Sequence, residues 1–223
     1  MGAITQRQSS AQFYRIIDGS ICLKSDNERD GYELFTTQNP QTKATVSYYI
    51  KRFDGLVGYL TAFERVDKPD KQVHGWQLTL SDEDGNYCLS LKDKNSATSR
   101  VLKMLKSVDL AKPLTIRAWL DTKGDRPKTA IKFEQDEQNV PQAYEKDELP
   151  PPKERPNGQL DWSAQEDKLY ADAIAFGEWL PTVAHKVAQK ARVEYDNDPL
   201  FTGPDVSQAP PENLPDNPDD IPF

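Results

Sequence analysis

Between Phe13 and Gln135 the chain is written in short runs of alternating apolar and polar residues, each run closed by a turn dipeptide. That period of two is the signature of antiparallel β structure. Asp18-Gly19, Asp54-Gly55, Asp84-Gly85 and Lys123-Gly124-Asp125 are the breaks, and each can supply the positive φ angle that a tight hairpin requires. The strands predicted from them cover 13–24 (broken at Asp18-Gly19), 31–36, 45–53, 56–65, 73–81, 86–92, 114–121 and 128–135. One helix interrupts the series: Val101, Leu102, Leu105 and Val108 fall on one stripe behind an Asn95 or Ser96 cap, and Pro113 stops the helix from running into the next strand.

Several strands, a helix and a closing hairpin within about 120 residues fit a small closed barrel with a capping helix. A mainly β chain built on the five-stranded OB-fold, with an extra N-terminal hairpin, is the commonest solution, and a β-sandwich is its competitor because hairpin spacing alone does not separate the two. Residues 1–135 form this domain. Residues 136–160 are polar and proline-rich, with Pro150-Pro151-Pro152, and read as a semi-rigid spacer. An amphipathic helix is expected over 161–192, opened by Asp161 or by the box Ser163-Ala-Gln-Glu166; its stripe of Leu169, Ala173, Phe176 and Leu180 needs something to dock on, and Pro181 should kink or split it.

Charge follows the same division. Residues 1–135 carry a net charge of +4 and residues 136–223 carry −12. The last 31 residues, 193–223, hold eight acids, seven prolines and no Lys, Arg or His, a composition that should stay disordered. A mean hydropathy of −0.78 and the lack of any long apolar run argue against a membrane span, and the N-terminal residues lack the apolar core of a secretory signal, which suggests a cytoplasmic protein. With only Cys22 and Cys88, no disulfide framework is expected.

No phosphate-cradling Gly-Lys-Ser/Thr loop, no Gly-x-Gly-x-x-Gly and no zinc-ligand spacing occurs, so neither an enzymatic activity nor a cofactor or metal is expected. Asp82, Glu83 and Asp84 precede Gly85 and read as a solvated turn. The informative constellation comes from parity, because alternate residues of a strand face opposite sides. With Val46, Tyr48, Ile50, Leu56, Leu60, Ala62, Leu114, Ile116, Ala118, Leu120, Thr129, Ile131 and Phe133 directed inward, the opposite faces carry Tyr49, Lys51, Phe53, Tyr59, Phe63, Arg65, Arg117, Trp119, Lys128 and Lys132. Trp76 completes the expected set. Rings interleaved with cations suit unpaired bases, which stack on aromatic faces while Lys and Arg meet the phosphates. The acidic tail can lie over that cationic groove when no strand is bound.

The final residues Asp219-Asp220-Ile221-Pro222-Phe223 resemble the acidic tip of bacterial single-stranded DNA-binding proteins. The body, from Tyr14 to about Tyr144, is similar to the OB-fold single-stranded DNA-binding proteins of bacteriophages in its Asp18-Gly19 hairpin, Tyr49 through Gly58, Gly75-Trp76, Ala97-Arg100-Leu102 and Lys112-Pro113-Leu114. It departs from the bacterial cellular protein in the extra N-terminal hairpin and the 161–192 helix. The resemblance implies a non-catalytic, sequence-independent single-stranded DNA-binding protein of DNA replication, recombination and repair, located in the cytoplasm (the host's, if phage-encoded). It further implies recruitment of partner enzymes through Asp219, Asp220, Ile221, Pro222 and Phe223, with self-association open. The alternative is an adaptor that docks on DNA-repair proteins through its tail and touches no nucleic acid; a nucleic-acid-processing enzyme is a third reading, without a catalytic constellation.

Overall fold

The computed structural model describes residues 11–38, 42–68, 73–124, 127–145 and 147–196, and it is mainly β. Strands β1 (Gln12–Ile17) and β2 (Ser20–Ser25) form a hairpin, and β3 (Glu33–Gln38) pairs with β4 (Thr45–Phe53). A meander follows of β5 (Leu56–Lys68), β6 (Val73–Ser81) and β7 (Asn86–Lys92), then helix α1 (Ser96–Met104) with a 3-10 turn at Leu105–Ser107, then the hairpin β8 (Leu114–Asp121) and β9 (Lys128–Gln135). Short pieces β10 (Gln138–Asn139), β11 (Lys153–Glu154) and β12 (Leu160–Asp161) lead into helix α2 (Ser163–Asp196). Contacts divide the chain at Val187, and of the second unit only the end of α2 is described.

Most of the local signals act as the sequence suggests, but Asp54-Gly55 is not a hairpin turn: neither residue has positive φ, and it joins β4 to β5, which are not neighbours in the sheet. Asp18 and Gly19 adopt φ of 47° and 73°, the pair of positive values that a two-residue hairpin turn matched to strand twist needs. Asn95 caps α1, its Oδ1 accepting from the Ala97 N–H at 2.9 Å. Asp161 Oδ1 accepts from the Ser163 N–H at 3.0 Å where α2 begins. The helix runs through Pro181, expected as a kink or a split, to Asp196 rather than stopping at 192.

The expected closed barrel is not formed. One sheet holds ten strands in the order β10-β9-β8-β5-β6-β7-β1-β2-β4-β3. The edge of β7 is taken by β1 in a parallel pair, with Gln12 opposite Tyr87 and Arg15 opposite Ser90, so the sheet continues into the N-terminal hairpins instead of closing. It still curls. The β1–β2 turn lies against β8 so closely that a Cβ at Gly19 would sit 2.2 Å from the Leu120 backbone nitrogen. Glycine is therefore required there twice, by φ and by space.

Inside the curl, Leu60, Phe63, Trp76, Leu78, Leu80, Leu89, Leu114, Ile116, Ile131 and Phe133 pack with Val101, Leu102 and Leu105 of α1. Helix α2 supplies Leu169, Ala173, Phe176 and Leu180 to the same core. Its closest approach is at Gly177, where an added Cβ would meet the Phe63 carbonyl oxygen at 2.1 Å. The docking place of the amphipathic stripe is thus strand β5.

The stretch expected as a spacer is, in its first half, a strap on the core. Val140 is buried, its N–H donates to the Phe133 carbonyl at 2.9 Å, and the Ala143 N–H donates to the Lys103 carbonyl at 2.7 Å. The Tyr144 hydroxyl donates to Asp172 Oδ2 at 2.9 Å, and Asp172 also takes Lys106 and Lys168 at 3.2 and 3.3 Å. Arg65 clamps Asp93 through both Nη atoms, at 3.3 and 3.0 Å.

Burial alone would raise the pKa of Asp93 and Asp172, yet Arg65 and Tyr170 at the first, and Tyr144, Lys106 and Lys168 at the second, hold both below the ordinary carboxylate range. A depressed folded pKa contributes stability that is present above the unfolded value, about 4, and is lost as pH falls through the folded one. Urea midpoints followed by tryptophan fluorescence should therefore fall below about pH 4. Asp172→Asn should be weaker at neutral pH with a flatter acid limb, and an unchanged limb would remove Asp172 from the acid-sensitive contacts.

Candidate nucleic-acid interface

Strands β8 and β9 carry an unbroken register, Ile116 opposite Phe133 and Arg117 opposite Lys132, so parity holds along them. Leu114, Ile116, Ile131 and Phe133 are buried on one face. The other face presents Arg117, Trp119, Lys128 and Lys132, with Trp119 41% exposed. Leu120, expected inward, is exposed at the strand end. On β5, Tyr59 is 45% exposed and Val57 lies opposite Thr115, extending the same face.

These cations are not all free. Glu134 accepts from Arg117 Nε at 2.8 Å and from Lys132 Nζ at 2.5 Å, and Lys132 and Arg117 hold its carboxyl below the usual range. The trio therefore carries a net charge of +1, while Lys128 has no ion pair among the described residues. Any anion on this face would have to compete with Glu134 for both cations.

Beyond Tyr59 the parity of β5 resets. The pairing shifts between Leu60 and Ala62, which leaves Thr61 as an extra residue, a β-bulge. Phe63 then lies opposite Leu78 and turns into the core, where it is 2% exposed. Trp76 is 1% exposed and stacks on Phe63, with ring centroids 5.2 Å apart and planes at 14°. Neither ring offers a face to a base, which corrects the sequence expectation for both. Arg65 is corrected as well: besides clamping Asp93, its guanidinium sits 5.1 Å from the Trp76 ring and 5.0 Å from the ring of Tyr170 on α2. It fastens helix to sheet.

Strand β4 departs from the expectation in a different way. Phe53 lies opposite Ile21 and packs edge-on against Tyr14 with centroids 5.3 Å apart, so it borders the main core, with Lys51 Nζ 5.7 Å from its ring. Tyr49 is half-buried on that same side, and Lys51 is exposed. Val46, expected in the core, is exposed near the sheet edge. Being next to the last strand, β4 has two partly covered faces, and simple alternation cannot tell them apart.

Sequence reasoning missed the other face of β4. Arg15, Cys22 and Arg52 form one transverse row across β1, β2 and β4. Lys24 lies 4.5 Å over the Tyr48 ring, and Tyr48 meets Phe35 of β3 at 5.5 Å. Arg52 is held by Glu33 at 2.5 Å and by Ser20 at 3.1 Å, while Arg15 has no ion pair among the described residues. The alternation Ser20, Cys22, Lys24 was the available signal. Further along the same hairpin, the β1–β2 turn lies against the backbone of Trp119 and Leu120 in β8.

Asp82 behaves as the turn its sequence suggests: Oδ1 accepts from the Asp84 and Gly85 N–H groups and from the Tyr87 hydroxyl. Among the described residues no three metal-ligating side chains cluster, and no helix is long and apolar enough to cross a membrane. The tip residues Asp219, Asp220, Ile221, Pro222 and Phe223 lie outside the described residues, as does the expected tail from residue 197 on. Comparison with protein-family models, with curated proteins and with solved structures gave no match.

Proposed function

We propose that this chain binds single-stranded DNA without sequence preference, and that it does so on the outer face of its sheet without any catalytic step or cofactor of its own. The observation that carries the reading is the exposed Trp119, which shares one sheet face with Arg117, Lys128 and Lys132. Stacking accepts any base, and phosphate contacts accept any sequence, so a surface of rings and cations coats strand rather than reading it. The order β9-β8-β5-β6-β7, with a helix between β7 and β8, is compatible with an OB-type five-strand arrangement whose closing edge has been given to the N-terminal strand β1. On this reading the protein serves replication, recombination and repair in the cytoplasm, in the manner of the phage proteins that its sequence resembles, and its acidic tip recruits partner enzymes.

Trp119→Ala should weaken binding to oligo-dT by about 1–3 kcal/mol, because one stacking platform is lost, while the exposed position leaves the fold intact. Fluorescence titration at several salt concentrations reads both the affinity and its log–log slope of about 0.7 per neutralised phosphate. Unchanged affinity in the variant, or binding indifferent to salt, would remove this face from the interface.

A further inference from the structure

Away from the sheet face, an open cavity of about 350 Å³ lies between α1, the strap and the start of α2. Ser99, Arg100 and Lys103 line it from α1, Gln142 from the strap, and Trp162 and Gln165 from the α2 end. Ser96, Ser99, Arg100 and Lys103 fall at spacings of three and four on one helix face, so both cations point to the same side. Neither Arg100 nor Lys103 has an ion-pair partner among the described residues, and Trp162 is 46% exposed with no ring packed against it there. Arg65, Lys106 and Trp76, by contrast, are taken up by Asp93, Asp172 and Phe63. Here an open indole and two free cations share one hollow.

We propose that this cavity is a second single-stranded DNA subsite, in which one base stacks on Trp162 while the adjoining phosphates meet Arg100 and Lys103. The inference rests on the DNA-binding reading and extends it from the sheet to the helical side of the molecule. The side-chain amides of Gln142 and Gln165 can both donate and accept, which suits the edge of any base, and the Ser99 hydroxyl can donate to a phosphate oxygen. Glu166 also lines the cavity and disfavours a second phosphate beside it, so the strand should run along α1 rather than along α2. Of the lining side chains only Trp162 and the buried Leu169 are apolar. A strand long enough to leave the sheet would reach this cavity, and a short one would not.

The test uses the full chain labelled with 5-fluorotryptophan, its four fluorine resonances assigned by single Trp→Phe variants, and titrated with dT oligonucleotides of increasing length. Short oligonucleotides should shift the Trp119 resonance alone, and longer ones should shift Trp162 as well. Trp162→Ala should lower affinity for the longer strands by about five- to 150-fold. Arg100→Ala/Lys103→Ala should lower the salt slope for those strands by about 1.4, at about 0.7 per lost phosphate. Both variants change only side chains that line the open cavity, and circular dichroism confirms their folding. If long strands bind and shift Trp119, but Trp162 stays fixed and the double variant keeps the parent slope, the cavity is not a subsite and the sheet reading stands. If no oligonucleotide binds the parent chain, both readings fall. A synthetic peptide of residues 217–223 that shifts Trp162 where DNA does not would make the cavity a socket for the tip and overturn the proposal.

Discussion

Trp76→Ala should cost about 3–5 kcal/mol of folding stability, and Phe63→Ala a similar amount. The two rings stack within the core, the edge of Tyr170 meets Trp76 at a centroid distance of 5.3 Å, and Arg65 lies over the indole, so truncation empties a space walled by sheet on one side and α2 on the other. A void there can collapse only if α2 moves, and α2 is held by its close approach to Phe63 at Gly177 and by Tyr170, whose ring lies under the Arg65 guanidinium. Urea denaturation monitored by far-UV circular dichroism reads the loss directly. Any fall in oligo-dT affinity should then be recovered at lower temperature, where the variant is folded. A Trp76→Ala protein with the parent's midpoint and a lasting affinity defect would place the ring at the DNA surface and overturn this packing.

The same contacts set where the protein can be cut. Leu169, Ala173, Phe176 and Leu180 are core residues, so a chain ended soon after Tyr144 would uncover Phe63 and Trp76 and lose the helix that Arg65 holds through Tyr170 and that Lys106 and Tyr144 hold through Asp172. The docked part of α2 therefore belongs with the folded body, beyond the proline-rich stretch. Of the net −12 carried by residues 136–223, part belongs to side chains such as Asp172 that already have cationic partners.

How far the sequence could be read depended on whether register was continuous. On β8 and β9 alternation ran unbroken, and the buried and exposed sets at Ile116, Arg117, Trp119, Ile131 and Phe133 came out as parity required. On β5 one extra residue, Thr61, reversed everything after it, and nothing in Leu60-Thr61-Ala62-Phe63 marks a bulge, since a bulge is settled by the partner strand. On β4 both faces are partly covered, so the choice between Tyr48 and Tyr49 depends on what lies above each face and not on their order. Strand existence and turn chemistry are local properties, written in dipeptides such as Asp18-Gly19 and in the Asn95 cap. The parallel pairing of β1 with β7, the strap at Val140 and the docking of α2 on Phe63 are long-range choices among similar apolar faces, and local pattern does not make them.

Deleting Phe223 alone should abolish capture of replication and repair enzymes in a pull-down while leaving oligo-dT affinity within about twofold. Ile221, Pro222 and Phe223 are apolar residues closing a stretch that is otherwise acidic and proline-rich, and such a composition gives them no core of their own to enter. An apolar terminus in that setting is best used by insertion into a partner's pocket, with Phe223 as the anchor and Pro222 restricting the backbone just before it. Asp219 and Asp220 can meet a basic rim that speeds encounter and makes capture sensitive to salt. Removing that residue takes away the anchoring ring, so the loss should be nearly complete. DNA affinity should hardly change, because the acids that compete for the sheet remain. Equal capture by the parent and the shortened chain would show that the tip is not the docking element, and a large change in oligo-dT affinity would show that Phe223 touches the DNA-binding face itself.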